Sequence, residues 1–322
     1  MHYSSLTPET AKKLKLLIER IEECHIPSSM LDESINVATW NIREFGKKSR
    51  SEDGIVFIAQ ILYQFDLIAI TEVREDLSDF KRVLKYLGGD WKYVVSDWQN
   101  DGGGNYERTL FLYDQRMVHF TGLAAEAQPN RKKMGDEYIS QQSWWRSPYM
   151  ASFRAGSFDF IILALHARWG SNNGRLKELA GFSEWISSRW DDKSDVVIDD
   201  DLIVVGDFNT PRIGDKYYKA LTEKSRLKMP RSLSTIKDTA VSAGNKRYDQ
   251  ILHRSTNNYS FSFSDHGGVI DFARDGLLEK LFPDVKPSKR TYELSDHLPM
   301  WIQIYTNNEL QRLDSIIRNR SS

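Results

Sequence analysis

The sequence predicts an α/β protein in which a mixed β-sheet is covered by helices. Short segments rich in Val, Ile and Phe, four to eight residues long, alternate with longer segments of helical periodicity. Some short segments also follow one another with no helix between them, which indicates antiparallel neighbours beside the parallel strands. Neither an internal repeat nor a linker-like stretch divides the 322 residues, so a single domain is the favoured interpretation.

The first element is an amphipathic helix over residues 7–24. Thr7 is a suitable N-cap, Pro8 suits the first turn, and apolar residues recur at helical spacing until Pro27 ends the segment. Helical patterns also cover 54–64, 76–87 and 174–190. The strands are expected at 35–40, 66–71, 109–113, 158–165, 201–205, 249–253 and 300–305.

Composition is that of a soluble globular protein, with 40% apolar and 28% charged residues. No apolar run approaches the roughly 20 residues that span a bilayer, and the N-terminal segment has no signal-peptide pattern. Cys24 is the single cysteine, which fits a reducing compartment. A cytoplasmic protein that does not enter membranes is therefore expected.

The net charge of −1 gives no sign of a nucleic-acid binder, but the charge is unevenly distributed. Residues 211–247 carry ten Lys or Arg against three acids, and 191–201 carry six Asp and one Lys. Such runs form solvated faces in many proteins. The basic run is equally compatible with the border of a polyanion site, and both interpretations stay open.

Polar side chains follow or precede several of the predicted strands, where an open sheet places its site. These residues are Asn41, Glu72, His166, Asp207, Asn209, Asp249, Asp296 and His297. A single polar residue at a strand end is commonly only a cap. Six strand ends that carry amide, carboxylate and imidazole groups together indicate a site.

The residue types indicate which chemistry this site supports. The sequence has no Cys/His cluster, HExxH motif or glycine-rich phosphate loop. Oxygen ligands predominate and suit a hard cation such as Mg²⁺, with Mn²⁺ as an alternative. The histidines suit acid–base work, and Glu107 and Asp249 are available as carboxylate partners behind them. This set fits hydrolysis of a phosphate ester by an activated water.

The motifs that surround these residues resemble the metal-dependent endonuclease/exonuclease/phosphatase superfamily, most closely its deoxyribonuclease I branch. The matching stretches, in order, are WNIREFG, ITEVRE, YVVSDW, YERTLFLYD, IILALHARW, VVGDFNT, RYDQIL and LSDHLPMWI. The resemblance implies a four-layered α/β sandwich, with two mixed sheets face to face and helices outside. It places the enzymatic domain at 35–306, between a helical extension at 1–34 and a helical tail at 307–322.

The resemblance also implies the role of each residue. Metal binding is expected at Glu72, Asn41 and Asp296. Catalysis is expected from His166, Asp207, Asn209 and His297, with Glu107 behind His166 and Asp249 behind His297. The tripeptide SDH occurs twice, but only Asp296-His297 belongs to the closing motif. His266, in the other copy, precedes two glycines and is expected in a turn.

The substrate implied by this branch is DNA, cleaved by an endonuclease with little sequence preference. Arg43 and Arg74 match its DNA-contacting positions, with surface salt bridges as the alternative. Arg146 resembles a third such arginine, and Tyr106 lies near the position of a tyrosine that packs against a sugar in the groove. The superfamily also contains phosphatases and phospholipases, so a small or lipid phosphate ester is the alternative substrate.

Three parts of the chain have no counterpart in the resemblance: the two terminal helical segments and the basic run 211–247. The terminal helical segments are expected to offer a surface for a protein partner. The basic run 211–247 is an insertion. The segment around Gly102 is expected to be a flexible loop beside the groove, with Gly102–Gly104 as its hinge.

Overall fold

The computed structural model describes residues 3, 6–99, 102, 103, 105–192, 194, 199–242, 244, 246–255, 262–307, 309, 310, 313, 316 and 317. Within these residues the strands are β1 (Ser34–Phe45), β2 (Leu67–Val73), β3 (Trp91–Val95), β4 (Arg108–Asp114), β5 (His119–Glu126), β6 (Arg131–Met134), β7 (Glu137–Ser140), β8 (Tyr149–Ala155), β9 (Phe158–His166), β10 (Leu202–Asp207), β11 (Asp249–Arg254), β12 (Ser262–Val269) and β13 (Met300–Tyr305). The helices are α1 (Pro8–Glu22), α2 (Glu52–Leu62), α3 (Ser78–Leu87), α4 (Asn172–Trp190), α5 (Lys216–Thr222), α6 (Leu277–Leu281) and α7 (Pro287–Arg290).

The strands form two large mixed sheets and one small hairpin. The first sheet has the order β12-β13-β1-β2-β4-β3, and the second has the order β11-β10-β9-β8-β5. β1 and β2 are parallel neighbours in the first sheet, as β9 and β10 are in the second. The hairpin β6-β7 stands apart from both sheets.

The two sheets pack face to face through a buried apolar layer. Val37 and Phe111 from the first sheet meet Phe153, Ile162 and Val205 from the second in this layer. The strand segments that contribute to it are buried on both faces, because helices cover the outer faces as well. Because both faces are buried, several of these strands contain runs of Val, Ile and Phe instead of a strict alternation of apolar and polar residues.

A helical layer covers each outer face, which completes the four-layered sandwich expected from the sequence. α1, α2, α3 and α6 pack on the first sheet, and α4 and α5 pack on the second. α1 begins at its N-cap Thr7, whose side chain accepts a hydrogen bond from the Thr10 backbone N–H (3.1 Å). Leu14, Leu17 and Ile21 of α1 join the core outside the first sheet.

All the strands and helices expected from the sequence are present, with ends that differ by a few residues. The expectation of a turn at His266 was wrong. His266 is exposed within the edge strand β12, at a register shift between Phe263 and Gly267 against β13. The shift inserts extra residues of β12 between Phe263 and Gly267, and the two glycines then pair regularly with Ile302 and Trp301, so the strand continues.

Two expectations fall partly outside the described residues. Residues 100, 101 and 104 of the expected flexible loop lie there, as does most of 307–322; the described residues 309, 310, 313, 316 and 317 have helical backbone. The division at residues 34 and 306 stays a prediction. Among the described residues, no helix combines the length and the apolar character required to cross a bilayer.

Candidate active site

Strand register in the second sheet brings three of the candidate residues side by side. His166 at the end of β9 pairs with Asp207 at the end of the parallel strand β10. Asp207 pairs in turn with Asp249, the first residue of the antiparallel strand β11. Directly paired residues point to the same face of a sheet, so the three side chains project together.

Gly206 lets β10 approach β9 closely just before Asp207. Its φ is +126°, and a Cβ at this position would lie 2.2 Å from the carbonyl oxygen of Leu165. Glycine is therefore required here by both the backbone conformation and the space.

The first sheet contributes Asn41 and Glu72. Asn41 pairs with Thr71 across β1 and β2, and the ladder then shifts register before Phe45. Glu72 has a left-handed φ of +61°. In this conformation its Oε1 accepts a hydrogen bond from Asn41 Nδ2 (3.0 Å), and its Oε2 accepts one from the Glu44 N–H (2.8 Å). A non-glycine residue in this region is typical of functional sites.

Asn41 joins the two sheets across the site. Its Nδ2 also donates to Asp207 Oδ2 (3.2 Å), while Asp207 Oδ1 accepts the N–H of Asn209 (2.9 Å). Asn209 has a φ of +51°, and its Nδ2 donates to the carbonyl of Ala167 (2.9 Å). Both Asp207 oxygens are thus oriented, and Asn209 acts on Asp207 through the backbone.

Short polar contacts fix the loop that carries His297. Ser295 Oγ donates to the Asn41 carbonyl (2.6 Å) and accepts the His297 N–H (3.0 Å). Trp40 Nε1 donates to the His297 carbonyl (2.8 Å). The sequence motif located His297, but the role of Ser295 follows only from tertiary structure.

Two carboxylate–imidazole pairs converge on Asp207. His166 Nδ1 lies 2.8 Å from Glu107 Oε2, and His297 Nδ1 lies 2.8 Å from Asp249 Oδ2. The Nε2 atoms of both rings lie 3.7 Å from Asp207 Oδ2. A carboxylate at Nδ1 favours the tautomer with hydrogen on Nδ1 and directs Nε2 to the site.

These pairs shift the proton affinities of the imidazoles. Burial lowers the pKa of His166, as does Arg146, but the carboxylates of Glu107 and Asp207 outweigh them and the net pKa is raised. Burial also lowers the pKa of His297, yet Asp249 and Asp207 hold it well above its ordinary value. Both rings therefore favour the imidazolium form, which donates hydrogen bonds and stabilises negative charge.

Glu107 is itself held ionised by its surroundings. Burial raises its pKa, but His166, Arg146 and Asn105 bring the pKa down to about 2. Arg146 Nε lies 2.7 Å from Glu107 Oε2, and Asn105 Nδ2 donates to Oε1 (2.7 Å). Arg146, which the sequence predicted to contact DNA, thus forms an ion pair with Glu107 in this structure.

The donor set fits a hard divalent cation. Asn41, Glu72 and Asp207 offer amide and carboxylate oxygens, and within the described part of the chain Asn41 Oδ1 is buried without a hydrogen-bond partner. An amide oxygen buried without a partner beside two carboxylates is expected where a cation completes the site. Asp207, Asp249 and His297 also bring potential ligand atoms within 4.8 Å of one another, but Asp249 Oδ2 already contacts His297 Nδ1.

Asp296, the third metal residue expected from the sequence, lies at the edge of the site. Its carboxylate is 3.5 Å from Arg43 Nη1, and its side chain is 40% exposed. Arg43 also donates to Thr291 Oγ1 (2.6 Å) and Tyr292 Oη (2.9 Å) and lies over the Tyr292 ring. The structure therefore pairs Asp296 with an arginine.

The remaining expected DNA contacts occupy different environments. Arg74 is 3% exposed, and its guanidinium donates to the Asn105 carbonyl and to Glu44 Oε1. Tyr106 is 43% exposed, with a φ of +57°, and its ring contacts Trp98. Tyr106 is therefore open to a substrate, whereas Arg74 is engaged by the protein.

Parts of the basic segment 211–247 have structural partners. Lys224 pairs with Glu184 of α4 (3.3 Å), and Arg226 pairs with Asp191 (3.3 Å). Arg247 is buried, donates to the carbonyls of Leu233 and Ile236, and has a pKa lowered to about 10 by burial. For these residues the contacts favour the interpretation of a solvated or structural segment.

The two-sheet sandwich has the fold of the endonuclease/exonuclease/phosphatase superfamily of phosphoester hydrolases, and the cluster of carboxylates, imidazoles and an amide lies at its rim. Enzymes of this family depend on a metal ion, in keeping with the donor set described above.

Known proteins show the same relationship. The chain is 26% identical over 289 residues to deoxyribonuclease-1 of Equus caballus, covering 84% of this chain and 92% of that protein. It is 24% identical over 234 residues to deoxyribonuclease-1 of Gallus gallus, covering 68% and 77%. An endonuclease/exonuclease/phosphatase family protein from Leptotrichia buccalis shares the fold with a TM-score of 0.56 at 16% identity, covering 84% and 99%. No family model matches the chain.

Proposed function

We propose that this protein is a Mg²⁺-dependent endonuclease that cleaves DNA with little sequence preference, with Mn²⁺ as an alternative metal. One observation supports hydrolysis most strongly: two carboxylate–imidazole pairs converge on Asp207, and its Oδ2 lies 3.7 Å from the Nε2 of each imidazole. Asn41 and Glu72 adjoin the same carboxylate.

Each group has a distinct task in the hydrolysis. Asp207, held at Oδ1 by the Asn209 N–H, orients the attacking water and accepts its proton. The imidazolium N–H groups of His166 and His297 donate to the phosphoryl oxygens as negative charge develops. A divalent cation, when bound by Glu72 and Asn41, supplies Lewis acidity toward the phosphoryl group.

The resemblance to deoxyribonuclease-1 over most of the chain supports DNA as the substrate.

The decisive experiment compares substrates on the full chain. Supercoiled plasmid nicking is measured beside hydrolysis of an inositol phosphate and of sphingomyelin, with Mg²⁺ and with EDTA. We expect metal-dependent nicking at many sequences and little release of product from the two small substrates.

Asp207→Asn serves as the matched control, because it keeps the size of the side chain and removes its charge. Nicking that persists in this variant would indicate a contaminating nuclease. Hydrolysis of inositol phosphate or sphingomyelin without nicking would overturn the proposal in favour of a phosphatase or phospholipase of the same fold.

A further inference from the structure

Two exposed tryptophans and a half-buried arginine beside the catalytic histidines have no role in the hydrolysis described above. We call Trp145, Arg168 and Trp169 the tryptophan shelf. Trp169 is 63% exposed and Trp145 is 40% exposed. Trp169 follows His166 by three residues, and its ring contacts Tyr248 (5.4 Å between centroids), which in turn contacts the ring of His297 (6.0 Å). The shelf therefore borders the reaction centre.

Hydrogen bonds to Glu178 fix the backbone of two shelf residues, Trp145 and Arg168. Glu178 of α4 is 4% exposed, and its two oxygens accept the backbone N–H groups of Trp145 (2.5 Å) and Arg168 (2.8 Å). The Arg168 guanidinium lies 4.0 Å from the centre of the Trp145 ring. A Cβ on Gly174 would lie 2.5 Å from Arg168 Nη1, so the helix start leaves room for this side chain. Such support preorganises Trp145 and Arg168 for contact with a ligand.

Arg168 differs from the other arginines around the site. The guanidinium groups of Arg43, Arg74 and Arg146 are occupied by Asp296, Glu44 and Glu107. Among the described parts of the chain, the Arg168 guanidinium makes no hydrogen bond or salt bridge, and its Nε is buried without a partner. The nearby Glu178 carboxylate already accepts two backbone N–H groups. Arg168 is thus available to a phosphate group.

We propose that the tryptophan shelf binds a nucleotide whose base is unpaired, next to the phosphodiester that is cleaved. The base stacks on the exposed face of Trp169, and Arg168 contacts a flanking phosphate. In a regular duplex the faces of each base are covered by its neighbours, so this contact selects single-stranded segments and strand ends. The inference rests on the proposed nuclease activity and narrows its substrate.

The test uses the full chain and one labelled oligodeoxynucleotide, presented as a single strand and in a duplex. Bis(4-nitrophenyl) phosphate serves as a phosphodiester without a base. We expect the wild type to cleave the single strand with the higher kcat/KM. In Trp169→Ala, kcat/KM for the single strand should fall about 5- to 100-fold, mainly through KM, because stacking on one aromatic side chain is lost. Hydrolysis of bis(4-nitrophenyl) phosphate should not change.

Two further variants separate stacking from packing. Trp169→Phe keeps a ring against Tyr248 and should recover most of the lost single-strand cleavage. Tyr305→Ala is the matched control, because Tyr305 is also an exposed aromatic residue (44%) but ends β13, whose opposite end lies nearer His297. It should cleave like the wild type. Arg168→Gln should weaken binding of the single strand and reduce its salt dependence by about 0.7 in log–log slope.

The outcomes distinguish the two proposals. A wild-type protein that hydrolyses bis(4-nitrophenyl) phosphate but no DNA overturns the proposed nuclease function. If Trp169→Ala cleaves DNA like the wild type, no base stacks on Trp169, and only the shelf proposal is overturned. If cleavage of DNA and hydrolysis of bis(4-nitrophenyl) phosphate fall together in this variant, Trp169 acts by packing against Tyr248, and again only the shelf proposal is overturned.

Discussion

At the scale of single residues, Asp207 is the centre of the site because both sheets supply its contacts. β9 and β11 place His166 and Asp249 beside it by register, and β1 supplies the Asn41 amide. Each of these neighbours also has a partner of its own behind it. Substitutions of the residues around Asp207 should therefore impair different steps of the reaction, and by different amounts.

Glu72 and Asp207 should respond differently to added metal. We expect Glu72→Ala to lose activity through metal affinity, because its carboxylate faces Asn41 and has no histidine of the described residues within hydrogen-bonding distance. Raising Mg²⁺ or Mn²⁺ should then restore part of the nicking rate. Asp207→Ala should stay inactive at every metal concentration, because it removes the group that orients the water. The measurement is a metal titration of the nicking rate, and equal loss without rescue in both variants would contradict the assignment.

The two SDH tripeptides offer a comparison within one chain. His297→Ala should reduce turnover by roughly 10²- to 10⁴-fold, as expected when an acid–base or electrostatic group is lost. His266→Ala should leave turnover near the wild-type value, since His266 is exposed on the edge strand β12. Steady-state rates at saturating DNA decide this. A larger effect at His266 would overturn the assignment of the closing motif.

At the scale of elements, the sequence predicted most of the buried strands and the edge strand β11, and it missed the interior strand β8, the three other edge strands and the hairpin β6-β7. β1, β2, β9 and β10 are almost continuously buried because sheet and helix cover their two faces. β3, β5 and β12 lie at sheet edges and expose much of one face, and the residues of β6 and β7 are exposed throughout. Their mixed composition gives no clear period.

The residues of the site were likewise predictable only where they adjoin a recognisable strand. The catalytic and metal candidates were found because each follows or precedes a recognisable strand. The salt bridges of Arg74 and Arg146 could not be predicted from the sequence, because the fold brings their partners Glu44 and Glu107 to them. An arginine in a motif carries no local signal that separates a contact with DNA from an internal salt bridge.

The close approach of β9 and β10 can be tested at Gly206. Gly206→Ala should lower the free energy of unfolding by about 2–4 kcal/mol, because an added Cβ meets the Leu165 carbonyl and the positive φ is strained. Gly122→Ala is the control, since Gly122 also has a positive φ (+116°) but open space around it. It should cost about 1 kcal/mol through strain alone. Urea unfolding measures both, and equal losses would show that β9 and β10 can separate without penalty.

At the scale of the whole molecule, the buried Asp66 and the half-buried His253 oppose each other in how they make stability depend on pH. Burial raises the pKa of Asp66 to about 6, despite hydrogen bonds from Ser29 and from the Asn36 N–H (2.6 Å). Burial and the charge of Lys228 lower the pKa of His253 to about 4. Asp66 precedes β2 in the first sheet, and His253 lies on β11 in the second.

The signs of the two contributions follow from proton uptake. Between about pH 4 and 6 the folded protein holds a proton on Asp66 that the unfolded chain has lost, so Asp66 stabilises the fold in acid and this contribution disappears as pH rises through about 6. Between about pH 6.5 and 4 the unfolded chain binds a proton on His253 that the folded protein does not, so stability falls on acidification. In the wild type the two effects largely cancel.

Substitutions that remove one titration should expose the other. On acidification from pH 6.5 to 4, Asp66→Asn should lose on the order of 2 kcal/mol more of its free energy of unfolding than the wild type, because only the penalty of His253 remains. His253→Phe, which keeps a ring against Phe263, should lose less than the wild type by a similar amount. The double variant should return to the wild-type slope, since the sites lie in different sheets and their effects should add. Urea unfolding at half-unit pH steps measures all four proteins. Parallel pH curves for the wild type and Asp66→Asn would show that the Asp66 carboxyl is solvated in the folded protein and titrates like an unfolded one.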